Sequence, residues 1–262
     1  MKTEMGPATG HDWLRGYSPR PRATVRLICF PHAGGNAAFF RPWASLLAGH
    51  VELLAVQYPG RMDRASEPLV RRMTEMADRA ALAVAPLARQ GPVVLFGHSL
   101  GASVAHEVAR RLAAGGTGPA ALVVSGRPAP HRLRATTVHL ADDDTLWAET
   151  GRLGGTQEDL LGSALLRHLS LPALRADYEV AETYRPGPAA PLPAPLLAFY
   201  GDRDPEVAED EARDWSAWTS SGFTLTAFPG DHFYLVPERA SVVKAITAGV
   251  AELASSPAPA SG

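Results

Sequence analysis

The feature that most constrains this chain is an alternation. Short apolar runs recur along it, and longer amphipathic runs separate them. "TVRLICFP" (24–31), "VELLAVQYP" (51–59), "PVVLFG" (92–97), "AALVVSGRP" (120–128), "APLLAFYGDRD" (194–204) and "FTLTAFPG" (223–230) read as strands. "NAAFFRPWASLLAG" (36–49) reads as a helix, because Phe39, Phe40, Trp43, Leu46 and Leu47 recur at helical spacing. "MTEMADRAALAVAPLARQ" (73–90), the run that starts at Leu100, and "ERASVVKAITAGVAELAS" (238–255) read as helices too. Strands that alternate with helices imply a mostly parallel sheet covered by helices on both faces. In such sheets ligands bind beyond the carboxyl ends of the strands.

The alternation stops over 131–186, where no strand signal occurs and a Pro-rich exit follows. A helical insertion lying over the strand ends, a lid, is expected there. Asp142, Asp143 and Asp144 suit the N-terminal turn of a helix in it. They do not suit a metal site, because neighbouring side chains on a helix diverge. Residues 1–22, polar with Gly and Pro, read as a loose, flexible arm that docks through Trp13 and Tyr17. Residues 23–255 read as one domain and 256–262 as a disordered tail. A length of 262 residues with 46% hydrophobic content suits one α/β domain with a sizeable core. A net charge of −2 gives no basic bias toward nucleic acid. The single cysteine, Cys29, lies in a strand and reads as a buried, inert thiol. No signal-like segment and no apolar run near ~20 residues occurs, so a cytoplasmic protein without membrane association is expected.

One turn in this pattern carries chemistry. "FGHSLGAS" places Gly97, Ser99 and Gly101 between a strand and a helix, a G-x-S-x-G. A serine in so sharp a turn is lifted off the sheet, and the flanking glycines avoid collisions across the turn. A nucleophile needs a base. Of the histidines, His232 in "FPGDHFYLV" sits just beyond a late strand. His98 neighbours Ser99 but leaves the turn in another direction, which suits packing or hydrogen bonding. The base needs an orienting carboxylate. Asp204 fits the strand-end spacing from Gly201, with Asp202 in reserve. The order Ser99, Asp204, His232 is that of the α/β-hydrolase fold. "FPHAGGNAAFF" (30–40) supplies a glycine-rich loop after a strand, and the amides of Ala33 and Leu100 are the expected oxyanion donors.

"PHAGGNAAFFRPWASLL", "VQYPGRMDR", "FGHSLGASVAHEVARRL", "SGRPAP", "FYGDRDP" and "PGDHFYL" together resemble the type II thioesterases, the stand-alone editing enzymes of polyketide and non-ribosomal peptide biosynthesis. The resemblance spans roughly 24–250, and "PHAGG" with "QYPGR" is far more specific than the serine motif. It implies an α/β-hydrolase fold with a helical lid. It also implies hydrolysis of stalled or aberrant acyl thioesters on the phosphopantetheine arm of a carrier protein. Ser99, His232 and Asp204 would be the triad, and Ala33 and Leu100 the oxyanion hole. No cofactor or metal is implied, since the substrate brings its own phosphopantetheine. The implied partner is an acyl or peptidyl carrier protein, with no nucleic acid or membrane, and a monomer is expected. Carrier domains are generally acidic, so Arg71, Arg72, Arg127, Arg132 and Arg134 are candidates for a basic docking rim. The alternatives on the same scaffold are a carboxylester hydrolase and a cyclising or acyl-transferring thioesterase. The short segment before the first strand favours the stand-alone reading.

Overall fold

The computed structural model of the chain describes residues 13–153 and 163–255. Its apolar runs form a seven-stranded sheet in the order β1-β3-β2-β4-β5-β6-β7. The strands are β1 (Leu14–Gly16), β2 (Val25–Phe30), β3 (Val51–Val56), β4 (Val93–His98), β5 (Ala121–Ser125), β6 (Leu196–Gly201) and β7 (Phe223–Phe228). β1 runs antiparallel to β3, and every other pairing is parallel. The main helices are α1 (Met73–Gln90), α2 (Leu100–Ala114), α3 (Asp143–Arg152), α4 (Ala164–Thr183), α5 (Glu209–Arg213) and α6 (Arg239–Ser255). None of the described helices is long and apolar enough to cross a membrane.

Successive strand residues point to opposite faces, so one strand feeds two cores. Ile28, Phe30, Leu95 and Val124 pack with Met76 and Ala80 of α1 and Val104 and Val108 of α2. Leu27, Cys29, Phe96 and Val123 pack on the other face, with Phe40, Trp43 and Val242, Val243 and Ile246 of α6. Each large apolar side chain buried this way contributes roughly 1.5–3 kcal/mol. α2 is lined with alanines and buried over most of its length, so small side chains let it sit close under α1 and against the sheet. Cys29 is fully buried, and burial pushes its thiol well above the usual range.

Two expectations need correction. Residues 37–45 keep the aromatic spacing of a helix but wind as a 3₁₀ helix. Phe39 N bonds Asn36 O, and Leu46 N bonds Trp43 O, each reaching back three residues. Pro42 offers no donor in the middle of this short run, whereas the longer α1 accommodates Pro86. The segment before the first long strand is also no loose arm from Trp13 onward. Trp13 is buried, Leu14–Gly16 pair with Val56–Leu54, and the Gln57 amide donates to Trp13 O. Three residues are too few to show periodicity, so pairing with β3 had no signal in the sequence. The expectations for residues 1–12 and 256–262 lie outside the described residues.

The insertion over 131–186 is helical where it is described, with α3 and α4 as its main elements. Asp142 caps α3, its carboxylate accepting from Thr145 N at 2.8 Å. Asp143 and Asp144 pair with Arg175 and Arg167 of α4, tying the two lid helices together.

Candidate active site

The strand order reverses at β2. From β2 the chain crosses outward to β3, then returns to pair β4 on the other side of β2. Loops leaving β2 and β4 therefore diverge and open a crevice at their carboxyl ends. The loop after β2 is "PHAGG", and the turn after β4 carries Ser99.

Ser99 has φ +54° and ψ −120°, left-handed backbone that a residue with a side chain rarely adopts. Its amide donates to Ser125 O at 2.8 Å, which fastens the turn to β5. The glycines have a steric cause. A Cβ on Gly97 would lie 2.1 Å from Gly101 O, and one on Gly101 would lie 2.1 Å from Phe30 O and 2.6 Å from Pro31 O. The first turn of α2 is thus pressed against the start of the "PHAGG" loop. That brings Ala33 and Leu100 to one cavity with Ser99 and His232. An orphan helix N-terminus with its positive end aimed there favours developing negative charge.

The carboxylate of Asp204 follows β6, and His232 follows β7. His232 Nδ1 donates to Asp204 at 2.9 and 3.1 Å, with both side chains almost wholly buried. Asp204 Oδ1 also accepts from Glu206 N at 2.8 Å, which holds the carboxylate in place. Asp202 instead accepts from Gly230 N at 2.8 Å and props the loop that carries His232. Among the described residues His232 Nε2 has no hydrogen-bond partner. An imidazole oriented through Nδ1 with Nε2 unengaged is equipped to take a proton from a hydroxyl.

The surroundings of His232 are aromatic. Its ring centroid lies 4.9 Å from that of His98 and 5.4 Å from Phe233. His98 Nδ1 is hydrogen-bonded to Ser125 Oγ at 2.9 Å, and Ser125 Oγ to Tyr234 Oη at 2.6 Å. Burial, and then the neighbouring His232 and His32, hold His98 well below the usual histidine range. His32 packs edge-on against Phe39 and Phe233, at 4.7 and 4.8 Å. Burial first, then His232 and Arg61, lower it to about 3. Two imidazoles whose charged forms burial disfavours thus frame His232. No local pattern announces the Ser125–Tyr234 support, because its members lie 109 residues apart in the chain.

A cavity of about 270 Å³ lies above these groups. Its floor is Ser99, Leu100, Ala33 and His232, and its roof is Trp147 of α3 with Leu174 and Tyr178 of α4. Arg127 lines it, donating to Ser103 Oγ at 3.1 Å; burial lowers its guanidinium to about 10.

Of the five arginines expected at a basic rim, Arg72 is exposed, three are engaged by carboxylates and one faces inward. Arg132 pairs with Asp210 and Asp214, Arg134 with Glu211, and Arg71 with Glu179. Arg127 faces the cavity, and the arginines of "QYPGRMDR" itself, Arg61 and Arg64, are buried. Arginine spacing carries no information about which carboxylates the fold brings opposite. The residue missed outright is Asp177, fully buried on α4 and paired with Arg61. Nothing in its local sequence separates it from a solvated helix carboxylate.

The family model described as the thioesterase domain matches residues 25–249. The chain is 46% identical over 224 residues to the thioesterase PikA5 of Streptomyces venezuelae, covering 85% of this chain and 80% of that protein. The solved structure of the type II thioesterase BorB from the borrelidin biosynthetic cluster superposes with a TM-score of 0.83 at 44% identity, covering 91% of this chain and 98% of that one. RedJ, a thioesterase from the prodiginine pathway of Streptomyces coelicolor, superposes with a TM-score of 0.83 at 35% identity, covering 88% of each chain.

Proposed function

The chain belongs to the thioesterase family, and on that premise we propose that it is a type II, editing thioesterase of polyketide or non-ribosomal peptide biosynthesis. Its substrates are stalled or aberrant acyl thioesters carried on the phosphopantetheine arm of a carrier protein. The observation that carries the reading is the buried Asp204–His232 pair, whose His232, with Nε2 unengaged, lines a lidded cavity together with the strained Ser99.

The chemistry follows from the parts. As Ser99 Oγ attacks the thioester carbonyl carbon, its proton passes to His232 Nε2, and Asp204 stabilises the imidazolium through Nδ1. The carbonyl oxygen takes negative charge where the Ala33 and Leu100 amides can donate to it. The C–S bond breaks, the pantetheine thiol leaves with the proton from His232, and Ser99 holds the acyl group as an ester. Water then gives up a proton to His232 and attacks that ester. Collapse releases the acid and returns the proton to Ser99. The lid helices cover the acyl group and exclude bulk water, which strengthens each of these electrostatic contacts.

The test uses acyl groups loaded on a carrier protein beside the same acyl groups as simple esters. The reading expects release from the carrier to be strongly favoured, and Ser99→Ala to abolish acyl-enzyme formation while the circular dichroism spectrum stays unchanged. Faster turnover of simple esters would point to a carboxylester hydrolase. Normal turnover by the Ser99→Ala protein would remove the mechanism.

A further inference from the structure

The "QYPGR" segment takes no part in the chemistry above, yet its polar groups converge on the loop that does. Tyr58 Oη donates to Pro31 O at 3.3 Å. Gln57 Oε1 accepts from Ala37 N at 3.0 Å, while Gln57 Nε2 reaches Arg61 O at 3.4 Å. Arg61 Nη1 donates to Gly35 O at 3.0 Å. Three side chains of one short segment thus hold the "PHAGG" loop at its first and last residues and at Ala37, where the 3₁₀ helix after it begins.

Arg61 is itself held. Its two terminal nitrogens donate to Asp177 at 2.6 and 2.8 Å, a bidentate fork deep in the protein. Burial opposes the guanidinium charge and the Asp177 carboxylate outweighs it, so Arg61 stays charged above its ordinary value. Asp177 Oδ2 also accepts from Gly34 N at 2.7 Å. Two adjacent loop residues are therefore gripped by the two halves of one ion pair, Gly34 through its amide and Gly35 through its carbonyl. Gly34 adopts φ +73°, and a Cβ there would lie 2.9 Å from Leu174 of the lid helix α4. Ala33, which lines the cavity and whose amide is the proposed donor, immediately precedes this clamp.

The geometry points to Arg61 and Asp177 as positioning residues that set the Ala33 amide for the oxyanion and fasten the oxyanion loop to the lid helix. This rests on the proposed use of Ala33 as a donor. A buried ion pair adds little net stability over an apolar pair of similar size, although losing one partner alone is costly. Its value lies in direction: a planar fork fixes a carboxylate that fixes an amide. Misplacement of a reacting group by about 1 Å costs on the order of 100-fold in rate, so a clamp of this kind acts on kcat beyond any effect that its loss has on stability.

The test compares Arg61→Lys, Asp177→Asn and the double variant Arg61→Met/Asp177→Leu, which leaves no lone buried charge. Hydrolysis of an acyl thioester of a small thiol is followed, with the folded fraction at assay temperature from near-ultraviolet circular dichroism. The expected result is a kcat per folded molecule lowered roughly 10- to 100-fold with KM within about twofold. An alkylboronate, which mimics the tetrahedral intermediate, should weaken by the same factor, while a non-hydrolysable amide analogue of the substrate should bind as before. A folded variant with wild-type kcat and boronate affinity would overturn the inference. So would a KM rise at constant kcat, which would mean substrate binding instead. A wild-type protein that hydrolyses no thioester would fail the functional proposal itself, and is read separately in the same experiment.

Discussion

Replacing Gly101 by alanine should uncouple the two arms of the proposed oxyanion site. The added Cβ would stand 2.1 Å from Phe30 O and 2.6 Å from Pro31 O, both backbone atoms that no side-chain rotation can move. Real Cβ contacts stay at or above 3.0 Å, so α2 and the "PHAGG" loop must separate by about 0.9 Å, the difference between 3.0 and 2.1. Overpacking of this kind costs roughly 1–3 kcal/mol of stability. The same displacement moves the Leu100 amide away from the Ala33 amide, and about 1 Å of misplacement costs on the order of 100-fold in rate. Gly49 provides the control. A Cβ there meets nothing within 4 Å, so Gly49→Ala should leave activity unchanged and stability equal or slightly higher. Urea unfolding and thioester hydrolysis on both variants read the two effects. A Gly101→Ala protein with wild-type stability and turnover would refute the steric argument for this turn.

Asp204→Asn should lower kcat on the order of 10⁴-fold by favouring the wrong tautomer of His232, whereas Asp202→Asn should leave most activity; comparable losses in a hydrolysis assay would mean that the two carboxylates share the role. Gly126→Ala should reduce kcat without a matching KM change, because the added Cβ would fall 2.6 Å from His98 Cε1 and 3.3 Å from His232 Cε1 in backbone of φ +57°. Acid should destabilise the fold. Burial lowers His106 to about 4, so between pH 6.5 and 4 the unfolded chain binds a proton that the folded chain refuses, and stability present above 6.5 is lost as pH falls. That is roughly 2 kcal/mol at pH 5 from His106, with His32 and His98 acting in the same direction. Urea unfolding at pH 7 and pH 5 measures it, and a His106→Phe protein with an equally steep loss would show that the charge on this ring is not the cause.

Much of the site was legible in the sequence because its signals are local. The need for glycine at Gly97 is a collision within one turn, with Gly101 O, and the turn's own backbone decides it, whereas the need at Gly101 comes from Phe30 O and Pro31 O across the crevice. The strand ends announced where Asp204 and His232 would emerge, since a parallel sheet delivers each strand's carboxyl end to the same edge. The runs at 73–90 and 238–255 were long enough for helical periodicity to speak, and they fold as α1 and α6.

Other features depend on which distant residues meet, and no local pattern encodes that. Trp13 and β1 needed β3 before three residues could become a strand. Pro42 tightened an aromatic run that reads as an α-helix. Three of the arginines expected at a docking rim, Arg71, Arg132 and Arg134, found carboxylates from α4, from α5 and from the 3₁₀ turn after α5. "QYPGR" stood out as a motif without a task. Only the fold, by bringing Asp177 from 116 residues away onto Arg61, made it a clamp on the "PHAGG" loop. Sequence alone determined the turn, the strand ends and the order in which Ser99, Asp204 and His232 leave them, because backbone sterics and periodicity act over a few residues. Tertiary structure alone decided how those groups are held, because a buried charge has no preferred partner until packing supplies one.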